Sequence, residues 1–117
     1  MSIIITLKLI QALRRFIMPT YIKAFETPAL SPGCGRTVNL NNKDIALFNI
    51  DGTFYAIDNT CAHRGGPLGE GDCKGKIVTC PLHGWQFDVT TGDCVVNPSK
   101  VTKYDVKIEG TDVYVNV

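Results

Sequence analysis

Two short motifs contain both histidines of the chain and two of its five cysteines. The first is Cys61-Ala62-His63, and the second, Cys80-Pro81-Leu82-His83, follows after residues 64–79. Each motif offers one thiolate and one imidazole, and a glycine comes within two residues of each histidine. Thiolates and imidazoles are side chains that hold zinc and iron in proteins. The pattern therefore predicts two loops that close on a metal through four ligands: Cys61, His63, Cys80 and His83.

Two kinds of metal centre suit this ligand set. Two cysteines and two histidines satisfy a single tetrahedral zinc. A zinc finger, however, usually groups its cysteines in one half and its histidines in the other, whereas each half is mixed here. A mixed pair in each loop suits a two-iron cluster in which one iron takes both thiolates and the other takes both imidazoles. The pattern favours the two-iron cluster, with zinc as the alternative.

The segment CAHRGGPLGEGDCKGKIVTCPLHGWQFDVTTGD resembles the cluster-binding region of Rieske ferredoxins. These include the ferredoxin components of bacterial ring-hydroxylating dioxygenases and the similar small subunit of assimilatory nitrite reductase. The matching features are C-x-H and C-x-x-H, the Gly-Gly-Pro-Leu after the first pair, and the His-Gly-x-x-Phe-Asp of the second. The resemblance covers about residues 21–117. It implies a Rieske iron–sulfur fold and one [2Fe–2S] cluster per chain, with both histidines near the protein tip.

The resemblance also indicates the redox potential. Respiratory Rieske proteins carry hydroxyl side chains just after the second histidine, where this sequence has Trp85 and Phe87. They also have a disulfide that braces the two loops, and its cysteines would fall at Gly66 and Leu82. Hydrogen bonds to cluster sulfur stabilise the reduced state, so their loss lowers the potential. We expect a potential in the negative part of the Rieske range of about −150 to +300 mV.

A second chemical site is missing from the sequence. It has no Gly-rich dinucleotide fingerprint, and both histidines are already assigned to the metal. We therefore expect a one-electron carrier that is not catalytic alone. By resemblance it takes electrons from an NAD(P)H-linked flavoprotein reductase and passes them to a terminal oxygenase. The alternatives are a small electron-transfer subunit of a nitrite reductase-type complex, with a terminal reductase as acceptor, and a zinc-bound interaction module.

Composition limits the remaining possibilities. A chain of 117 residues can form one domain with its own core, and a net charge of +1 gives no indication of nucleic-acid binding. The cysteines outside the two motifs are Cys34, Cys73 and Cys94. Three such residues do not make a disulfide framework, so we expect a reducing, cytoplasmic location. The alternative of a Cys73–Cys94 disulfide is weaker than the interpretation of both as small, partly buried side chains.

Residues 1–18 differ from the rest of the chain, because they are apolar and basic and contain no acidic residue. As a helix they would be imperfectly amphipathic, and they are too short and too polar to span a bilayer. They also make a poor signal peptide. Three interpretations remain: a helix on a partner or membrane surface, a helix packed on its own domain, or a tail added by an early start codon. We predict an extension over 1–18 and a Rieske domain over 19–117.

The elements that position the motifs are predicted to be short strands. The predicted strands cover 21–25, 36–40, 45–50, 53–58, 76–79, 102–108 and 112–117. Asp51-Gly52 is the strongest hairpin signal, and 109–111 closes a second hairpin. No convincing helix follows residue 18. The sequence therefore predicts an all-β fold, a small antiparallel sandwich or barrel with a subdomain of two cluster-binding loops.

Overall fold

The computed structural model describes residues 21–62, 65–82 and 84–117. This part of the chain contains ten β-strands and two short 3-10 helices, at Thr27–Ala29 and Leu68–Glu70. The all-β prediction is confirmed. The strands are β1 (Tyr21–Glu26), β2 (Cys34–Leu40), β3 (Lys43–Ile50), β4 (Thr53–Asp58), β5 (Asp72–Lys74), β6 (Ile77–Thr79), β7 (Gln86–Asp88), β8 (Lys103–Tyr104), β9 (Val106–Glu109) and β10 (Asp112–Asn116).

The strands form three antiparallel sheets. The terminal sheet has the order β1-β10-β9, and the central sheet has the order β2-β3-β4-β8. The third, the loop-bearing sheet, has the order β5-β6-β7 and carries the second motif between β6 and β7. The first motif follows β4 of the central sheet. The two motifs are therefore presented by two different sheets.

The central sheet is covered on both faces. In β3, Ile45 and Leu47 belong to one core cluster together with Val113 of the terminal sheet. Phe48 of the same strand belongs to a second core cluster together with Phe87 of the loop-bearing sheet. All four of these β3 and β7 side chains are fully buried. Because successive residues of a strand point to opposite faces, a strand covered on both sides is apolar almost throughout, as β3 is.

Two-residue turns fix the register of the central sheet. Asp51 and Gly52 have φ angles of 52° and 91°, and they join β3 to β4 as predicted. Asn41 and Asn42, with φ angles of 54° and 62°, join β2 to β3 in the same way. Positive φ at both central residues is typical of the hairpin turn whose twist matches that of the flanking strands. Asn and Asp tolerate this backbone conformation better than other residues with a Cβ.

The structure corrects part of the strand prediction. The single strand expected over 102–108 is divided at Asp105 into β8, which pairs with β4, and β9, which pairs with β10. The chain therefore passes from the central to the terminal sheet at this point. Strands β5 and β7 and the two 3-10 helices were not predicted. The other strands lie where they were expected, with ends that differ by one or two residues.

The predicted N-terminal extension, residues 1–18, lies outside the described residues. Among the residues that are described, no helix is long and apolar enough to cross a membrane.

Candidate metal centre

The first loop, residues 61–66, is closed by its own backbone. The amide of Cys61 donates to the carbonyl of Gly66 at 2.9 Å, and the amide of Gly65 donates to the carbonyl of Cys61 at 2.9 Å. Gly65 has a φ of +74°, a conformation that glycine adopts without steric cost. Just outside the loop, Thr60 and Pro67 form an isolated antiparallel bridge. The loop is thus a hook whose two ends are held side by side.

The second loop, residues 80–85, repeats this pattern. The amide of Cys80 donates to the carbonyl of Trp85 at 2.7 Å, and the amide of Gly84 donates to the carbonyl of Cys80 at 3.1 Å. Gly84 has a φ of +77°. In both loops the cysteine comes first and the glycine with positive φ comes fifth. The described residues at the two ends of each loop therefore form two similar hooks.

Both motif cysteines are buried together. Cys61 and Cys80 are each 3% exposed and belong to the same core cluster. The structure thus brings together the two predicted thiol ligands. The two predicted histidine ligands, His63 and His83, lie outside the described residues, as does Arg64. Their assignment stays a prediction.

The two loops are packed directly against each other at Gly66. A Cβ on this residue would lie 2.5 Å from the Sγ of Cys80 and 3.1 Å from the Cγ of Leu82. The first loop can therefore come this close to the Cys80 thiol of the second loop only because Gly66 has no side chain. Two buried thiols on mutually packed loops are a soft donor set of the kind that iron–sulfur centres use. The described residues fit such a centre.

The core cluster that contains the two cysteines is otherwise largely apolar. Leu68, Val78 and Phe87 are fully buried in the same cluster, and Trp85 packs against it while partly buried. Trp85 therefore contributes to core packing. An apolar shell of this kind limits the access of water and so influences the redox potential of a bound metal.

Asn59 fixes the chain that leads into the first loop, a role that was not predicted from the sequence. It is 7% exposed, and its Oδ1 accepts hydrogen bonds from the Gly69 amide at 2.7 Å and from Thr37 Oγ1 at 3.0 Å. Its own carbonyl accepts from the Leu68 amide at 2.8 Å. These bonds join β2, the start of the first loop and the 3-10 helix after it. No local sequence pattern indicates such a role, because one of the partners is distant in the chain.

Asp88 fixes the exit of the second loop. Burial alone would raise the pKa of its carboxyl, but bonds from the Thr90 hydroxyl at 2.6 Å and the Thr90 amide at 2.8 Å favour the charged form. Lys76 adds an ion pair at 3.3 Å. The net effect holds the pKa of Asp88 below its usual value. The carboxylate thereby ties β7 to the turn before β6.

Exposed apolar side chains lie on and beside the second loop. Leu82 is 56% exposed, Val95 53% and Val96 64%. The Val95 amide donates to the carbonyl of Gln86 at 2.8 Å, which places this segment next to the residue that follows the second loop. We call Leu82, Val95 and Val96 the apolar rim. Exposed apolar groups next to a buried site are typical of a contact surface. The two valines were not predicted from the sequence.

The three other cysteines are free thiols. Cys94 is buried in the core cluster, Cys73 on β5 is partly buried, and Cys34 at the start of β2 is exposed. This agrees with the interpretation of Cys73 and Cys94 as small, partly buried residues. The alternative Cys73–Cys94 disulfide is not formed.

Comparisons with known proteins agree with this arrangement. Residues 20–113 match the model of the Rieske [2Fe–2S] domain. The chain belongs to the Rieske [2Fe–2S] domain family, and the predicted family and fold are confirmed.

Among its relatives, the ferredoxin component of the naphthalene 1,2-dioxygenase system of Pseudomonas putida is 35% identical over 101 residues, which cover 82% of this chain and 97% of the relative. The ferredoxin component of the naphthalene 1,2-dioxygenase/salicylate 5-hydroxylase systems of Ralstonia sp. is 40% identical over 74 residues, 62% of this chain and 71% of the relative. Among solved structures, the ferredoxin of carbazole 1,9a-dioxygenase from Nocardioides aromaticivorans matches with a TM-score of 0.77 and 28% identity, over 82% of this chain and 96% of that one.

Proposed function

We propose that this protein is a one-electron carrier of an aromatic ring-hydroxylating dioxygenase system. It receives electrons from an NAD(P)H-linked flavoprotein reductase and delivers them to a terminal oxygenase. The observation that carries the proposal is the pair of matched hooks that bury Cys61 and Cys80 in the same core cluster, with Gly66 of the first hook in contact with the Cys80 thiol of the second. The chain does not transform a substrate by itself.

The relatives support the choice of system. The Pseudomonas putida ferredoxin component corresponds to this chain over nearly its whole length. A solved complex of reduced oxygenase and oxidised ferredoxin in carbazole 1,9a-dioxygenase contains a chain that is 30% identical to this one, with a TM-score of 0.77. By analogy, this protein docks on a terminal oxygenase.

Four residues are proposed to hold the cofactor, one [2Fe–2S] cluster per chain. Cys61 and Cys80 would supply the thiolates, and His63 and His83 would supply the imidazoles. The bound cluster supplies reversible one-electron transfer. The chain's own part is to hold the two thiols rigidly, because each hook is closed by two backbone bonds. The buried apolar side chains of the same core cluster, which include Phe87, keep water from the protein side of the site.

The apolar rim is proposed as part of the docking surface. It continues outward from the second loop, so a partner seated on it would lie close to the cluster end of the molecule. Burial of a valine or leucine side chain contributes about 1.5–3 kcal/mol when it goes from fully exposed to fully buried. The rim valines are about half exposed, so each can contribute about 1 kcal/mol to docking.

We also place the protein in the cytoplasm, with an N-terminal extension over 1–18 and the Rieske domain over 19–117. Support for a reducing compartment comes from the free thiols of Cys34, Cys73 and Cys94.

The cofactor is tested by anaerobic purification with quantification of iron and zinc. Two irons per chain and an EPR signal that appears only after reduction with dithionite are expected. A colourless protein with one zinc would overturn the proposal and leave an interaction module. Purification as a fixed complex with a large reductase subunit would favour the nitrite reductase-type alternative over a free carrier.

The docking surface is tested in a reconstituted assay with a flavoprotein reductase and a terminal oxygenase. A Val95→Ser/Val96→Ser variant removes two contributions of about 1 kcal/mol each, so at about 1.4 kcal/mol per factor of ten it should raise the KM for this protein roughly thirtyfold, with iron content unchanged. Ile108→Ser is the matched control, because Ile108 is 45% exposed on β9 of the terminal sheet. Equal KM values for both variants would exclude the apolar rim from docking.

A further inference from the structure

Two sheets meet edge to edge on the side of β2. β2 is an edge strand of the central sheet, and β5 is an edge strand of the loop-bearing sheet. β2 packs against β5 and also against the 3-10 helix that precedes β5. We call this junction the seam. It is one of the places where the sheet that carries the second loop joins the rest of the described chain.

The backbones touch along the seam. A Cβ on Gly69 would lie 2.7 Å from the amide nitrogen of Thr37 and 2.9 Å from the carbonyl carbon of Arg36. A Cβ on Gly35 would lie 3.2 Å from the carbonyl oxygen of Gly69. Such close approach leaves little room for the two edges to shift relative to each other.

Each side of the seam carries one thiol that the metal centre does not use. Cys34 is the first residue of β2 and is exposed, and Cys73 is the middle residue of β5 and is partly buried. The pKa of Cys73 is raised mainly by burial and secondly by the neighbouring Cys34. The two thiols therefore lie on the two edge strands that pack against each other at the seam. Cys94, in contrast, is buried in the core.

We infer that Cys34 and Cys73 form a redox modification site, which a low-molecular-weight disulfide such as glutathione disulfide converts to an intramolecular disulfide. This inference does not depend on the proposed electron-carrier function. The bond would cross-link the edge of the central sheet to the edge of the loop-bearing sheet.

The reaction proceeds by two thiol–disulfide exchanges. The exposed Cys34 thiolate attacks one sulfur of glutathione disulfide, which breaks the reagent's S–S bond, forms a mixed disulfide and releases one glutathione thiolate. The Cys73 thiolate then attacks the Cys34 sulfur and expels the second glutathione. The two cysteines lose two electrons and two protons, and the reagent takes up both as two glutathione thiols. Cys34 attacks first because it is accessible and because the raised pKa of Cys73 reduces its thiolate fraction.

The test uses the cluster-containing protein under anaerobic conditions, so that glutathione disulfide is the oxidant. After incubation, remaining thiols are blocked with N-ethylmaleimide in denaturant, and the protein is analysed by intact mass and peptide mapping. The expected product carries three N-ethylmaleimide groups where the reduced chain carries five, has lost two hydrogen atoms, and contains a disulfide that links the Cys34 and Cys73 peptides. The disulfide is reversed by dithiothreitol added before the blocking step. The Cys94→Ala control should give the same product.

Single variants identify the partners. Cys34→Ser should give no internal disulfide, and Cys73→Ala should stop at the mixed disulfide of Cys34 with glutathione. Cys34→Ser changes an exposed side chain, so the inference stays testable even if Cys73→Ala folds poorly. Only glutathione adducts or intermolecular dimers in the wild type, or an internal bond that maps to another cysteine, would overturn the inference.

Discussion

A double variant, Gly66→Cys with Leu82→Cys, should form a disulfide that braces the two loops of the candidate centre. The two positions face each other, since a Cβ on Gly66 would lie 3.1 Å from Leu82 Cγ and 3.3 Å from Leu82 Cδ1. By the resemblance given above, the cysteines of the disulfide that braces the two loops in respiratory Rieske proteins would fall at these two positions. The variant tests whether the loops are packed as the structure places them.

The expected stabilisation follows from the length of the closed loop. A cross-link over about 16 residues removes roughly 3 kcal/mol of conformational entropy from the unfolded chain at 25 °C. The new side chain at Gly66 works against this, because its Cβ would lie 2.5 Å from Cys80 Sγ, and overpacking costs about 1–3 kcal/mol. The steric cost is present in both the oxidised and the reduced double variant. Both forms are prepared in a Cys34→Ser background, which cannot form the Cys34–Cys73 disulfide, so the difference between them isolates the effect of the cross-link.

The measurement is thermal unfolding of the double variant with and without the disulfide, together with intact mass under non-reducing conditions. For a domain of this size, 3 kcal/mol corresponds to a shift of the order of 10 °C in Tm. The rate of iron loss on heating gives a second readout and should be slower in the oxidised form. Each single variant, Gly66→Cys and Leu82→Cys, serves as a control that adds a thiol without a partner.

Failure of the disulfide to form with an oxidising glutathione mixture would show that the two positions do not face each other. Equal Tm values for the oxidised and reduced double variant would show that the loops are held apart or are strained by the bond. Either result would refute the packing of the first loop over the second, on which the candidate centre depends.

Further predictions concern the ligands, the supporting residues and the potential. His83→Ala should lose iron and Cys34→Ser should keep it, as measured by iron content; full iron in His83→Ala would contradict the ligand assignment. Asn59→Ala should lower the free energy of unfolding by about 1–3 kcal/mol, measured in urea, because it leaves buried donors unsatisfied. Asp88 has a lowered pKa, so its stabilising effect is present above its usual value of 3.8 and is lost as pH falls through the lower folded value. The stability difference between wild type and Asp88→Asn should therefore shrink as pH is lowered from about 6 to about 3, and a difference that grows would contradict the carboxylate's role. The midpoint potential should lie in the negative part of the range of about −150 to +300 mV, by titration with EPR detection, and a value well above zero would contradict it.

Local patterns in the sequence were sufficient to predict the motifs and most strands. The Asp51-Gly52 turn marks the β3–β4 hairpin by residue type alone, because few residues accept positive φ. The thiol ligands were predicted because each motif is a short continuous segment. The close packing of the first loop beside the Cys80 thiol depends on Gly66, whose role becomes visible only in three dimensions.

Other features depend on tertiary contacts and could not be predicted. The segment 102–108 has one continuous strand pattern, yet Asp105 divides it, because its carbonyl accepts a bond from the amide of Asn116 while the flanking strands pair with different sheets. β5 and β7 have only three residues each, too few to show a period of two. Asn59 accepts a hydrogen bond from Thr37, which is distant in the sequence, so no local sequence motif predicts this interaction.

The similarity of the two hooks has a consequence for assembly. Each hook is closed by backbone bonds of its own, Cys61 to Gly66 and Cys80 to Trp85, which do not involve a metal. Many small metal-binding domains are unfolded without their metal, because binding and folding are a single event. Since these loops have closing bonds of their own, we expect part of the conformational entropy of ordering them to be lost when the polypeptide folds. We therefore expect the metal-free chain to fold with both thiols in place.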